Sequence, residues 1–143
     1  MGKVFVQAKL VNHLDELLAS QNIIKPEQVR NCELNALVDT GAVHCVINKE
    51  VMDILDLPVS RRQNVRYADG RVAEKTVVED LRVFIMGRDA IVPAIVEENG
   101  KEILIGQIAL EQMDLIVDPT KGTVGPRPES PDEPLIDMYG MAV

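Results

Sequence analysis

In the stretch ALVDTGAVHCVI, residues 36–47, one acidic side chain, Asp39, stands between two apolar runs, with His44 and Cys45 close behind it. Two kinds of chemistry suit these residue types. A carboxylate at the end of a buried strand can move protons as a general acid or base, and a Cys within hydrogen-bond reach of a His can act as a nucleophile. The second fails on geometry, because adjacent residues of a strand point to opposite faces and His44 cannot easily meet Cys45. The first turns on whether Asp39 is a loop residue or a working one. A D-T-G match arises by chance in a chain of 143 residues with a probability on the order of a few per cent. Its setting narrows it further. Ala36, Leu37 and Val38 form a buried-strand run before it, and much later Ile103, Leu104, Ile105 and Gly106 lead into a short helical segment.

The elements that must position Asp39 are short apolar runs broken by turn residues. Residues 4–11 read as a first strand, and HLDELLAS places Leu14, Leu17 and Leu18 at helical spacing. After Lys25-Pro26 a strand over residues 30–38 delivers the chain to Asp39. Residues 43–47 form another short strand. Asn48 then caps a helix with Val51, Met52, Ile54 and Leu55 on its apolar face, stopped at Pro58. VRYADGRV reads as a projecting hairpin with Asp69-Gly70 in a two-residue type I′ turn, both central residues at positive φ. Strands follow at 77–86 and 90–96, separated by a turn at 87–89, and Asn99-Gly100 turns into EILIG. QIALEQM forms one more short helix and DLIVDP a last strand. This spacing predicts a compact barrel or sandwich with two or three short helices. Residues 1–125 form one domain with a helical insertion at about 13–29, and residues 126–143 a Pro-rich acidic tail expected to be mobile.

Composition limits the function classes. Hydrophobic residues make up 46% and charged residues 27%, as in a folded globular protein. Aromatics are only 3% and Trp is absent, so the core must come from Val, Ile, Leu, Met and Ala, a set that favours strands. The net charge of -8, with no basic run longer than Arg61-Arg62, offers no footprint for nucleic acid, and it points toward neutral or basic clients. No apolar run has bilayer length and the N-terminus lacks a secretory layout, so the expectation is a soluble cytoplasmic protein without a membrane partner. Gly2 does not make a myristoylation signal, because Val6 stands where that motif wants Ser or Thr. Cys32 and Cys45 are too few for a disulfide framework and lack structural-zinc spacing, and both are read as reduced. His13 reads as a surface or capping residue and Asp118 as a turn former, while Asp53, Asp56, Glu79 and Asp80 read as solvated charges. No metal and no cofactor is expected.

ALVDTGA, the Asp-Gly hairpin tip and ILIGQIAL occur in the order found in retropepsin-like aspartic proteases, the single-domain relatives of pepsin, and the resemblance spans about residues 30–125. It implies an all-β, mainly antiparallel closed barrel that works as an obligate homodimer, because one chain carries one D-T-G. It also implies that Asp39 and its symmetry mate form a catalytic dyad hydrolysing peptide bonds. Thr40 would brace the loop through its hydroxyl across the dimer axis. Gly41 would let backbone approach the partner loop and the substrate, with Ala42 completing the loop. Tyr67, Ala68, Asp69, Gly70 and Arg71 would form the flap over an extended peptide. Val43, Ile105, Gly106 and Gln107 would flank the site. Viral members usually carry an acidic residue at the position of Val43 and an Arg at that of Gln107, paired as a buried brace. Here both partners are replaced together, which predicts a neutral or apolar repacking.

Two function classes follow from the resemblance. One is an aspartic endopeptidase acting on extended peptide or protein substrates; the alternative is a catalytically silent retropepsin-like dimerisation or peptide-binding module. An intact D-T-G favours the first, since a module that only binds has no need for a carboxylate at a dimer axis.

Overall fold

The computed structural model describes residues 3–138. Gly2 and the end of the tail, residues 139–143, lie outside the described residues. Strand β1 (Val4–Asn12) runs directly into helix α1 (His13–Ser20), and after a 3-10 turn at Pro26–Gln28 strand β2 (Asn31–Val38) returns antiparallel to β1. The short strand β3 (Cys45–Ile47) precedes helix α2 (Lys49–Leu55), whose first turn is capped by the Asn48 side chain accepting from the Val51 N–H at 2.9 Å. Strands β4 (Val59–Arg66), β5 (Val72–Ile85) and β6 (Arg88–Val96) form the meander. The two-residue strand β7 (Leu104–Ile105) then feeds helix α3 (Gln107–Met113), and β8 (Leu115–Asp118) pairs with β9 (Thr123–Pro126) in a separate ribbon.

The large sheet has the order β1-β2-β7-β3-β6-β5-β4, and β1 also pairs with β5, so the strands from β1 to β5 in that order close into a ring with β4 outside it. Most pairings are antiparallel, but β2 with β7 and β3 with β6 are parallel. β5 serves both the ring and the hairpin. Its first half pairs with β4, its second half with β1, and β6 runs along both. The change of partner falls at a bulge between Val78 and Leu81, where Asp80 takes φ 62°, and such an irregularity bends a strand and sharpens its twist.

Two turns differ from the sequence expectation. The tight turn with both central residues at positive φ is Met86-Gly87 (54° and 77°), joining Ile85 to Arg88, and not Asp69-Gly70. Arg88, expected in that turn, is instead a buried first residue of β6. At the other hairpin only Gly70 has positive φ (89°); the Gly70 N–H donates to the Tyr67 carbonyl at 2.9 Å and the Tyr67 N–H to the Arg71 carbonyl at 2.8 Å. That is a three-residue loop with glycine at its left-handed position.

The core is aliphatic, as the composition requires. Leu10, Ile47, Leu55, Leu81, Ile85, Ile105, Leu110 and Met113 are fully buried, whereas Phe5 is 50% exposed. β9 adds Val124 to this core. Beyond it, residues 127–138 form no regular element but are tied to α3 by two hubs. The buried Arg88 guanidinium donates to the carbonyls of Asp114 (2.9 Å) and Ser130 (2.6 Å), and Asp114 accepts from Arg127 and from the Leu135 N–H (2.8 Å). No helix of the described residues is long and apolar enough to cross a membrane.

Helix α1 docks by a polar face. Its leucines Leu14 and Leu17 are exposed, while Asp15 is buried and accepts hydrogen bonds from the backbone N–H and the Nε and Nη2 groups of Arg30, at 2.9 to 3.0 Å. The buried Asn12 caps the helix by accepting from the Asp15 N–H and donates to the Leu55 carbonyl at 2.8 Å. The Arg30 side chain holds the Asp15 carboxyl below its ordinary value. Asp15 therefore contributes fully to stability above about pH 4, its unfolded value, and the contribution is lost as pH falls through the lower folded value. We expect Asp15→Asn to cost about 2 kcal/mol in urea unfolding at pH 7, and the difference from wild type to shrink at acidic pH; a gap that widens on acidification would refute this account.

Candidate active site

The site is built where the chain crosses itself. β2 ends at Val38, residues 39–44 form a loop, and the chain returns as β3; but β7 lies between β2 and β3 in the sheet, so the loop must straddle its end. Backbone hydrogen bonds fasten the crossing on both sides. The Leu37 N–H donates to the Ile103 carbonyl (2.8 Å) and the Asp39 N–H to that of Ile105 (3.0 Å). From the opposite direction the Gln107 N–H donates to the Ala42 carbonyl (2.7 Å) and the Ile108 N–H to that of Val43 (3.1 Å). Between these pairs Gly106 passes directly beneath the loop. A Cβ there would lie 2.4 Å from the His44 carbonyl oxygen and 2.8 Å from that of Ala42, distances that backbone atoms cannot accommodate without moving the loop.

The loop holds Asp39 half-buried at the mouth of a cleft of about 650 Å³. One carboxylate oxygen, Oδ1, accepts from the Gly41 N–H at 2.9 Å. A Cβ on residue 41 would sit 3.2 Å from the same oxygen, so glycine keeps that face of the carboxylate open. Thr40 and Gly41 are exposed, and Thr40 lines a second, smaller cavity of about 380 Å³ with Lys3, Leu37 and Pro119, which Asp39 also borders.

The β4–β5 hairpin forms the opposite wall of the cleft. Tyr67 and Ala68 line it together with Asp39, Gly41 and Ala42, and Val46, Val65, Ile95 and Leu104 supply apolar surface. Asp69 and Arg71 do not line it and pair with each other at 2.9 Å. The hairpin is anchored just below its tip by residues with no motif in the sequence. The Tyr67 hydroxyl donates to Glu97 Oε2 at 2.5 Å, Lys75 donates to Glu97 Oε1 at 2.7 Å, and the Arg71 guanidinium stacks 4.6 Å from the Tyr67 ring centre. Lys75, and after it Tyr67, hold the Glu97 carboxyl below its ordinary value, so the anchor stays charged across neutral and mildly acidic pH. Glu97 follows the last residue of β6, and only its fold neighbours mark it as part of the site.

The remaining candidates fall as follows. Ile105 and Gly106 are buried behind the loop. The expected side-chain repacking of Val43 with Gln107 is absent: Val43 is 58% exposed and the Gln107 side chain donates to Glu111 at 3.1 Å. The segments meet through backbone instead, so neither side chain is needed to join them. His44 is exposed and Cys45 buried, on opposite faces as strand geometry demands, and burial pushes the Cys45 thiol up to about 11, which removes it as a nucleophile. Asp118 accepts from the Thr120 and Lys121 N–H groups and shapes a turn. Asp53 pairs with Lys49, Asp56 with Arg30 and Glu79 with Arg61. Among the described residues no group of three or more His, Cys, Asp or Glu side chains is arranged to hold a metal.

Residues 26–112 match the family model described as "gag-polyprotein putative aspartyl protease". No curated protein matches the chain significantly.

Two outcomes test this construction. Gly106→Ala is expected to cost about 3 kcal/mol in urea unfolding, or to prevent folding, because the new methyl meets backbone and not a movable side chain; a loss within about 0.5 kcal/mol would refute the close crossing. Glu97→Gln should leave global stability within about 1 kcal/mol while raising hydrogen exchange of the Tyr67 and Gly70 amides; unchanged exchange would show that the hairpin is held by other contacts.

Proposed function

Because the chain belongs to the gag-polyprotein aspartyl protease family, we propose that it is an aspartic endopeptidase whose active site forms when two copies bring their Asp39 loops together. The observation that carries this reading is the placement of the Asp39 carboxylate: half-buried, with Oδ1 held by Gly41, in a loop pinned through backbone and facing a cleft roofed by a hairpin. The exposed Thr40 and Gly41 are the part of the loop that a second copy would cover.

One carboxylate cannot be acid and base at once. In the dimer the two Asp39 side chains would share one proton, since like charges about 3 Å apart do not both ionise. The ionised partner takes a proton from a water while that water's oxygen attacks the scissile carbonyl carbon, and the protonated partner gives its proton to the carbonyl oxygen. The tetrahedral diol collapses as the newly protonated Asp39 gives its proton to the leaving nitrogen, the ionised partner takes a proton from a diol hydroxyl and the C–N bond breaks, so the pair again holds one proton. Pairing of this kind titrates as a unit, so a bell-shaped pH profile belongs to the dyad and not to either Asp39. The hairpin would close over an extended peptide and hydrogen-bond its backbone.

Cleavage of a peptide library from pH 3 to 8, read beside the molar mass in solution, tests the proposal. Asp39→Asn should lower kcat roughly 10²–10⁴-fold with folding and dimer mass retained. Activity that survives the substitution, or turnover by a strict monomer, would sink the dyad. A dimer that binds peptides without turnover would leave the silent peptide-binding module standing.

A further inference from the structure

The cleft differs in charge from the chain around it. The protein carries a net charge of -8, which alone would favour neutral or basic clients. Among the residues that line the cleft, however, the carboxylates other than Asp39 already have cationic partners. Glu97 is bound by Lys75 at 2.7 Å, and Glu102 by Lys3 at 3.4 Å. The neighbouring cations of the hairpin are matched in the same way, Arg61 with Glu79, Arg62 with Glu74 and Arg71 with Asp69. Two cleft residues break this pattern. Arg66, at the end of β4, and Lys101, in the segment leading to β7, both line the cavity, both are exposed, and among the described residues neither forms a salt bridge. Each subunit therefore presents two unmatched cations beside the one carboxylate of Asp39, and a dyad sharing a proton would halve even that negative charge.

The walls between these cations are apolar, from Val46, Val65, Ile95 and Leu104. An extended peptide sends alternate side chains to opposite faces, so one face can meet the apolar floor while the neighbouring side chains reach the rim where Arg66 and Lys101 stand. We infer that this cleft selects peptide segments in which an acidic side chain lies next to apolar residues, with Arg66 and Lys101 as the residues that set the preference. The inference rests on the proposed peptide-binding role of the cleft. It assigns no catalytic part to either cation: both act on substrate binding, through charge and at a distance from the scissile bond.

The test uses the full chain with Asp39→Asn, so that binding is read without turnover. Fluorescent peptides of one apolar sequence carry Glu, Gln or Lys at each position in turn, and affinities are compared at about 0.05 M and about 0.5 M salt. An exposed charge pair is worth a few-fold in affinity, so two should favour Glu over Lys by roughly tenfold at one or more positions. That advantage should shrink at high salt and disappear in Arg66→Gln/Lys101→Gln, whose fold should be untouched because neither side chain has a partner to lose. Equal binding of the three peptide sets, a preference for Lys, or a Glu preference that survives the double substitution overturns the inference. Wild-type cleavage of the same peptides separates it from the reading it rests on. Cleavage without charge preference refutes the inference and leaves the protease, whereas Glu-selective binding without cleavage refutes the protease and leaves the inference. Failure to bind any peptide overturns both.

Discussion

The close passage of Gly106 beneath the loop that carries Asp39 is the constraint on which the rest of the structure depends. β7 is only two residues long, yet it sits between β2 and β3, so the loop joining those strands has to arch over it. The arch is possible because the residue beneath has no side chain, and it is rigid because hydrogen bonds enter from both directions, through Asp39 to Ile105 and through Gln107 to Ala42. A carboxylate at the tip of a free loop would sample many positions. Here the backbone removes that freedom before any side chain is considered, which is what preorganised acid–base chemistry needs.

The same economy shapes the opposite wall. β5 is long enough to belong to two structures, and the bulge at Asp80 lets one strand close the ring against β1 and still reach out as the second arm of the hairpin. The hairpin is thereby continuous with the core at one end and free at the other. The Tyr67–Glu97–Lys75 cluster fixes the boundary between those regimes: below it Val77 and Val78 are buried, and above it Ala68 to Arg71 are exposed. The loop residues Ala68 to Gly70 thus extend beyond the cluster, while the strands below it stay in register.

Much of this was legible in the sequence, for reasons that can be stated residue by residue. Strand ends and helices are local matters, so the alternation through β1, the Asn48 cap and the run into Gly106 signal themselves. Asp39 stands out because a charge between two apolar runs is anomalous in a strand ending. What depends on long-range partners was not legible. Leu14 and Leu17 at helical spacing suggest a buried face for α1, but the helix docks through Asp15 because Arg30, distant in sequence, supplies three donors. Asp-Gly is a strong local cue for a type I′ turn, yet the register of β4 against β5 leaves three residues in that loop, and the turn with two positive φ values falls on Met86-Gly87 where the strands demand it. The Arg88 and Asp114 contacts that tie down residues 127–138 join parts of the chain whose composition gives no hint of each other.

The replacement of the viral acid and Arg by Val43 and Gln107 takes on a different meaning once the loop is seen to be held by backbone. Hydrogen bonds from the Gln107 and Ile108 N–H groups to the carbonyls of Ala42 and Val43 can be made by any residues other than proline at the donor positions. The fold thus places no demand on the side chains at 43 and 107, and in this chain they have turned elsewhere, Val43 to the surface and Gln107 to Glu111. An ion pair at these positions would brace geometry that the main chain already secures. Losing both partners together leaves no buried charge behind, so the pair can vanish while the Asp39 loop stays where it is.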